Sequence, residues 1–150
     1  MEVKALRARY ETLRRGHGFE PTDAAAAAVL CKTYESAHGD PSFLVELLAG
    51  LPKEPSPEQG EECALVVAAT RGVLSAQRQL EAEYFARIPS FIASMKLDGA
   101  LVDDVAQGVR QKLLVGEPPK ILGYVGRGSL AALIRVTATR TAISALRKGG

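Results

Sequence analysis

The sequence predicts an all-α protein, on three observations. Alanine and leucine dominate while strand-favouring residue types are thin. Apolar residues recur at spacings of three and four, and no stretch alternates apolar with polar. Glycines and prolines punctuate the chain where those periodic stretches stop.

Taken in order, residues 2–15 predict a basic helix with Val3, Leu6, Tyr10 and Leu13 on one stripe and Arg7, Arg9, Arg14 and Arg15 around it. Gly16 and Gly18 end it. Thr22 and Asp23 are N-cap candidates for a helix over Ala24–Ser36. Pro41 suits the first turn of a short helix through Leu48, closed by Gly50 and Pro52. The proline- and glutamate-rich stretch Pro52–Glu62 reads as a linker. This places a helical extension at 1–55, a linker at 56–62 and a C-terminal domain at 63–150. Helices are then expected over Cys63–Thr70 and over Leu74–Met95, the second with Leu80, Tyr84, Ile88, Phe91 and Met95 in phase. Gly99 precedes a helix over about Ala100–Val115, stopped by Gly116, Pro118 and Pro119. A glycine-rich turn leads to a last helix, about Ser129–Arg147.

Composition narrows the function. The chain has 150 residues, 47% hydrophobic and 24% charged, with 5% aromatics and no tryptophan, so its core must be aliphatic. A net charge of +2 creates no global basic field, and any nucleic-acid role needs local clustering. The charged N-terminus lacks the apolar region of a signal peptide, and no apolar run approaches the roughly 18 residues of a spanning helix. A cytoplasmic protein without membrane contact is expected. Cys31 and Cys63 are far apart and read as buried thiols. His17 and His38 each stand alone near a glycine turn. Neighbours on a helix point about 100° apart, so Asp103 and Asp104 are ill placed to share a metal and suit a first turn facing the helix dipole. The Gly126-Arg127-Gly128-Ser129 turn lacks the lysine and spacing of a phosphate-binding loop. No nucleophile–base pair, metal site or cofactor site is expected, and no enzymatic activity.

Two helices carry information. Over Leu101–Leu114, Leu101, Val105, Val109 and Leu113 fall within one third of the circumference. Asp103, Asp104, Gln107, Arg110 and Gln111 occupy the opposite side together with Leu114, whose exposure there would suit a partner. In the last helix Arg135, Arg140, Arg147 and Lys148 follow Ser129 with no acid among them, and Arg127 lies in the turn just before. Arg140, Ser144 and Arg147 share one face, and Ile134, Ala138, Ala142 and Ala145 another. Cations completing a helix C-terminus account for Arg147 and Lys148 but not for the other three. An acid-free basic helix after a glycine turn points to phosphates.

Four segments occur in fixed order: Glu83-Tyr84-Phe85, then Leu101-Val102-Asp103-Asp104-Val105-Ala106-Gln107-Gly108-Val109, then Tyr124-Val125-Gly126-Arg127-Gly128-Ser129-Leu130, then Ala142-Ile143-Ser144-Ala145-Leu146-Arg147. This order resembles region 2 of the sigma-70 family of RNA polymerase sigma factors, especially the extracytoplasmic-function group. Lys112-Leu113-Leu114-Val115-Gly116 and Gly126-Arg127-Gly128 resemble the myxobacterial sigma-like proteins in particular. The similarity covers about residues 63–148.

Residues 74–148 are expected to form a compact unit of three main helices, like that region, with Tyr84, Ile88, Phe91, Val105, Val109 and Ile134 in its core. The resemblance implies that the helix bearing Asp104 and Gln107 docks on a coiled coil of the largest subunit of core RNA polymerase. The surrounding docking face is then Asp103, Asp104, Gln107, Arg110, Gln111 and Leu114. It further implies that the last helix captures the non-template single strand of the promoter minus-ten element, with Arg127, Arg135, Arg140, Ser144, Arg147 and Lys148 on the DNA. An anti-sigma protein is a further partner of that family. Leu133, Arg140 and Ser144 stand where the family has Trp, Asn and Asp, and Gly108 and Arg110 where it has Glu and Phe. The alternative expectation is therefore a polymerase-docking module without promoter recognition.

Overall fold

Ser56, Pro57 and Gln59 decide where the central helix starts. The Ser56 hydroxyl accepts from the Gln59 amide (3.2 Å), the Gln59 side chain accepts from the Ser56 amide (3.0 Å), and Pro57 needs no hydrogen-bond partner for its nitrogen. In the computed structural model, which describes residues 1–149, this start opens a helix over Pro57–Thr70. The linker expected at 56–62 is thus the opening of a helix. Its proline- and glutamate-rich composition imitates a loop, while the spacing of Ser56 and Gln59 is that of a capping box.

The chain is all-helical, with no strand among the described residues. Its helices are α1 (Val3–Gly16), α2 (Ala24–His38), α3 (Ser42–Gly50), α4 (Pro57–Thr70), α5 (Leu74–Glu83), α6 (Ile88–Phe91), α7 (Gly99–Leu114), α8 (Ile121–Tyr124) and α9 (Leu130–Gly149). Tight 3₁₀ turns at Phe85–Arg87 and Ala93–Met95 flank α6. α4 packs against α2, α3, α5 and α8, and buries Cys63, Val66, Val67, Ala68 and Ala69. Buried side chains from Leu6 in α1 to Ala142 in α9 form one continuous cluster.

Arg14 departs from the surface role expected of it. It is only 3% exposed and takes the stripe position after Leu6 and Tyr10, while Val3 stays exposed. Its guanidinium donates to the carbonyls of Ala49 (3.1 Å) and Leu51 at the C-terminal end of α3, where helix carbonyls lack partners. It also lies 4.6 Å over the Phe19 ring. The expected caps of α2 are likewise not made by side chains. Instead Glu54 accepts from the Thr22 hydroxyl (2.6 Å), the Thr22 amide (2.8 Å), the Asp23 amide (3.1 Å) and the Tyr10 hydroxyl (2.6 Å). One carboxylate thereby ties α1 and the start of α2 to the segment after α3.

The helix expected over Leu74–Met95 is broken at Tyr84, whose backbone leaves the helical region. Pro89 gives the reason. In a continuous helix it would remove a hydrogen bond and clash, costing about 3 kcal/mol, whereas it is tolerated in the first turn of α6. Ile88 keeps its place, and on either side of it burial moves one residue on, from Tyr84 to Phe85 and from Phe91 to Ile92. Phe85, Ile88 and Ile92 are buried, and Tyr84, Phe91 and Met95 are left half-buried at the rim. Burial of each such side chain is worth roughly 1.5–3 kcal/mol, enough to set the new phase. Of the expected core, Ile88, Val105, Val109 and Ile134 are fully buried.

Candidate functional site: two faces of the C-terminal helices

α7 and α9 lie side by side, with Val105, Val109 and Leu113 buried on α7 and Ile134, Ala138 and Ala142 buried on α9. Their approach is close at Gly108, where an added Cβ would come within 3.3 Å of the Thr141 methyl. Lys112 reaches across to donate to the Thr141 hydroxyl (3.0 Å). α9 begins where Ser129 accepts from the Ala132 amide (3.0 Å), and Glu62 of α4 accepts from the Leu130 amide (2.9 Å). The other oxygen of Glu62 accepts from the Tyr84 hydroxyl (2.8 Å). Burial, then the hydrogen bond to this carboxylate, push the Tyr84 phenol up to about 12. The turn before α9 needs glycine at 126: its φ is +85°, and a Cβ there would lie 2.7 Å from Leu51 and 3.0 Å from the Cys63 sulfur.

The polar face of α7 is partly as expected. Asp103, Asp104, Gln107 and Gln111 are exposed. The helix starts earlier than a first turn at Asp103 requires, because Asp98 is the N-cap and accepts from the Leu101 amide (2.8 Å). Asp103 and Asp104 therefore sit beyond the first turn, where the helix dipole has faded. Arg110 is held by Glu81 of α5 through two parallel bonds, at 2.7 and 3.1 Å. Leu114, expected on the exposed face, is half-buried against the core. The face left open is Asp103, Asp104, Gln107 and Gln111.

The face of α9 is basic and partly apolar. Arg140, Ser144, Arg147 and Lys148 are exposed, and Val136, Ile143 and Leu146 are exposed among them. No acid follows Glu117 in the sequence. Among the described residues none of Arg127, Arg135, Arg140, Arg147 and Lys148 lies within 4 Å of a carboxylate. Arg127 is tethered, its Nε donating to the Gly123 carbonyl (3.0 Å). Arg135 leans on Phe91, its guanidinium 5.0 Å from the ring centroid. Sequence reasoning missed the companion cation, Arg87, which lies 5.1 Å from the same centroid. Its signal was the four-residue spacing from Arg87 to Phe91.

Elsewhere, a largely apolar cleft of about 1050 Å³ opens between α2, α4 and α5, walled by Ala26, Val29, Leu30, Ala64 and Leu65. Nothing in the sequence patterning announced it. Cys31 and Cys63 are both buried and unpaired, and burial pushes each thiol up to about 12. No three of His, Cys, Asp and Glu converge among the described residues, and no helix there is long and apolar enough to cross a membrane.

Fold and faces together define a class: an all-α helical bundle with an open polar-acidic face on one helix and an acid-free basic face on its neighbour. Compared with known proteins, the chain matches no family model, no curated protein and no solved structure.

Proposed function

We propose that this chain is a sigma-factor-like transcription-initiation protein, without enzymatic activity, that acts in the cytoplasm. It docks core RNA polymerase through Asp103, Asp104, Gln107 and Gln111, and contacts the non-template strand of a promoter minus-ten element through α9. The observation that carries this reading is the basic face of α9. Its cations are exposed and free of carboxylate partners, and phosphates are the ligand such a face suits. The ordered resemblance of residues 63–148 to sigma region 2 supplies the promoter and the polymerase.

The test is fluorescence anisotropy of a labelled minus-ten-like single strand at several salt concentrations, with and without core polymerase. The log-affinity slope on log salt should be about −0.7 per phosphate contacted, so between about −2 and −3.5 for three to five contacts. Arg140→Ala should flatten it by about one contact while leaving base preference unchanged, because phosphate contacts position rather than specify. Asp104→Lys should weaken polymerase binding without unfolding the chain, since an exposed charge contributes little to stability. Absence of binding in both conditions refutes the promoter reading.

A second reading, a polymerase-docking module without promoter recognition, is favoured by the residues at Leu133, Arg140 and Ser144. No aromatic stands at these positions to stack on an unpaired base. Polymerase binding with no promoter-dependent transcription would select it.

A further inference from the structure

Four guanidinium groups lie over three aromatic rings, and one of the three rings differs from the other two. Arg14 over Phe19 is buried and bonded to the carbonyls of Ala49 and Leu51. Arg71 over Phe43 stands at 5.3 Å, near enough to Asp40 to help hold that carboxyl below its usual range, after the hydrogen bonds from Ser42. Phe91 alone carries two, Arg87 at 5.1 Å and Arg135 at 5.0 Å. Both are exposed, and among the described residues neither lies within 4 Å of a carboxylate.

The ring holds each exposed cation by about 0.5–1 kcal/mol. With centroid distances of 5.1 and 5.0 Å the two like charges lie at most about 10 Å apart, with no carboxylate among the described residues beside them to neutralise either. An anionic chain that contacts both would neutralise the pair. The backbone supports the arrangement. Arg87 closes the 3₁₀ turn before α6, Phe91 ends α6, and Arg135 projects from the second turn of α9, against which α6 packs. Phe91 is half-buried, so its ring is anchored while the guanidinium groups stay open to solvent. A guanidinium offers planar N–H donors to phosphate oxygens and a flat surface on which a base can stack.

We propose that Arg87, Phe91 and Arg135 form a phosphate clamp that holds the phosphodiester backbone of a single-stranded nucleic acid at the edge of the α9 face. The clamp rests on the nucleic-acid reading above and extends it to Arg87 and Phe91. Phe91 is a positioning residue that fixes the two guanidinium groups, and the Arg side chains make the contacts.

Two measurements on the full chain test it. The first follows the arginine Nε–Hε NMR signals during titration with inorganic pyrophosphate. The Arg87 and Arg135 signals should move together and saturate at one common concentration, while the Arg71 signal stays put. Failure of the pair to shift together overturns the clamp. The second repeats the salt series with an oligothymidylate strand. Arg87→Gln should flatten the log–log slope by about 0.7. Phe91→Leu, which leaves the net charge unchanged, should flatten it by between about 0.7 and 1.4, corresponding to one or two contacts. A ring that the arginines merely shield from water would leave both slopes at the wild-type value. Binding of the strand with unchanged slopes therefore overturns the clamp and leaves the nucleic-acid reading standing. Saturable pyrophosphate shifts without strand binding do the reverse, retaining a phosphate site and rejecting the nucleic acid.

Discussion

Arg14 shows how much one side chain can organise. Its donors satisfy the carbonyls of Ala49 and Leu51 in a place water does not reach, while its Nε has no hydrogen-bond partner. Arg14→Ala should cost about 3 kcal/mol, because two buried carbonyls lose their donor and a cavity replaces the stem. Urea unfolding monitored by circular dichroism measures it, and a change below about 0.5 kcal/mol would contradict the bonding described. Glu54 gives a pH dependence. Burial pushes its carboxyl up, but hydrogen bonds from Thr22, Tyr10 and the Asp23 amide outweigh that and hold it below the usual carboxylate range. A depressed folded-state value means stability that is present above the unfolded value of about 4.3 and lost as pH falls through the folded one. Glu54→Gln should lower the melting temperature at neutral pH and reduce its further fall between neutral and acidic pH. An unaltered acid limb would assign that loss to other carboxylates, such as Glu35 and Asp40, which are also held low.

At the scale of the element, helix ends were more legible than helix phases. The starts and stops at Pro41, Gly50, Gly99 and Gly116 follow from local backbone chemistry, and α7 and α9 fall within a residue or two of their expected spans. The start of α4 was legible too, through Ser56 and Gln59, but its proline-rich surroundings argued for a linker. Ser56→Ala should cost about 1 kcal/mol, the usual value of an N-cap, and should raise amide exchange at Gln59 first. Equal exchange in the two proteins would show the cap to be idle. The phase of residues 84–95 could not be read from spacing, because a break at Tyr84 and another phase past Pro89 suit the same apolar residues. Tertiary packing, with α6 set against α7 and α9, selects the phase that buries Phe85 and Ile92.

At the scale of the whole molecule, α4 joins what the sequence divides. It packs on α2 and α3, which precede it, and on α5 and α8, which follow it, and its Glu62 holds the first amide of α9. Leu6→Ala in α1 should therefore lower the unfolding midpoint of the entire chain, by about 2–5 kcal/mol of stability. Hydrogen exchange in α9 should accelerate along with that in α1, as expected of one cooperative unit. Acceleration confined to α1–α3 would show two separate units. The sequence by itself determined that the chain is helical, where most helices begin and end, and which faces of α7 and α9 turn outward. Those properties depend on neighbours within one or two turns, and a 3.6-residue period records them. Tertiary structure alone decided that Arg14 is buried, that Arg110 is bound to Glu81, that Glu62 caps α9, and that Arg87 and Arg135 meet on Phe91. Each of these joins side chains from different elements, and a charge reads the same in sequence whether its partner is water, a carbonyl or a ring.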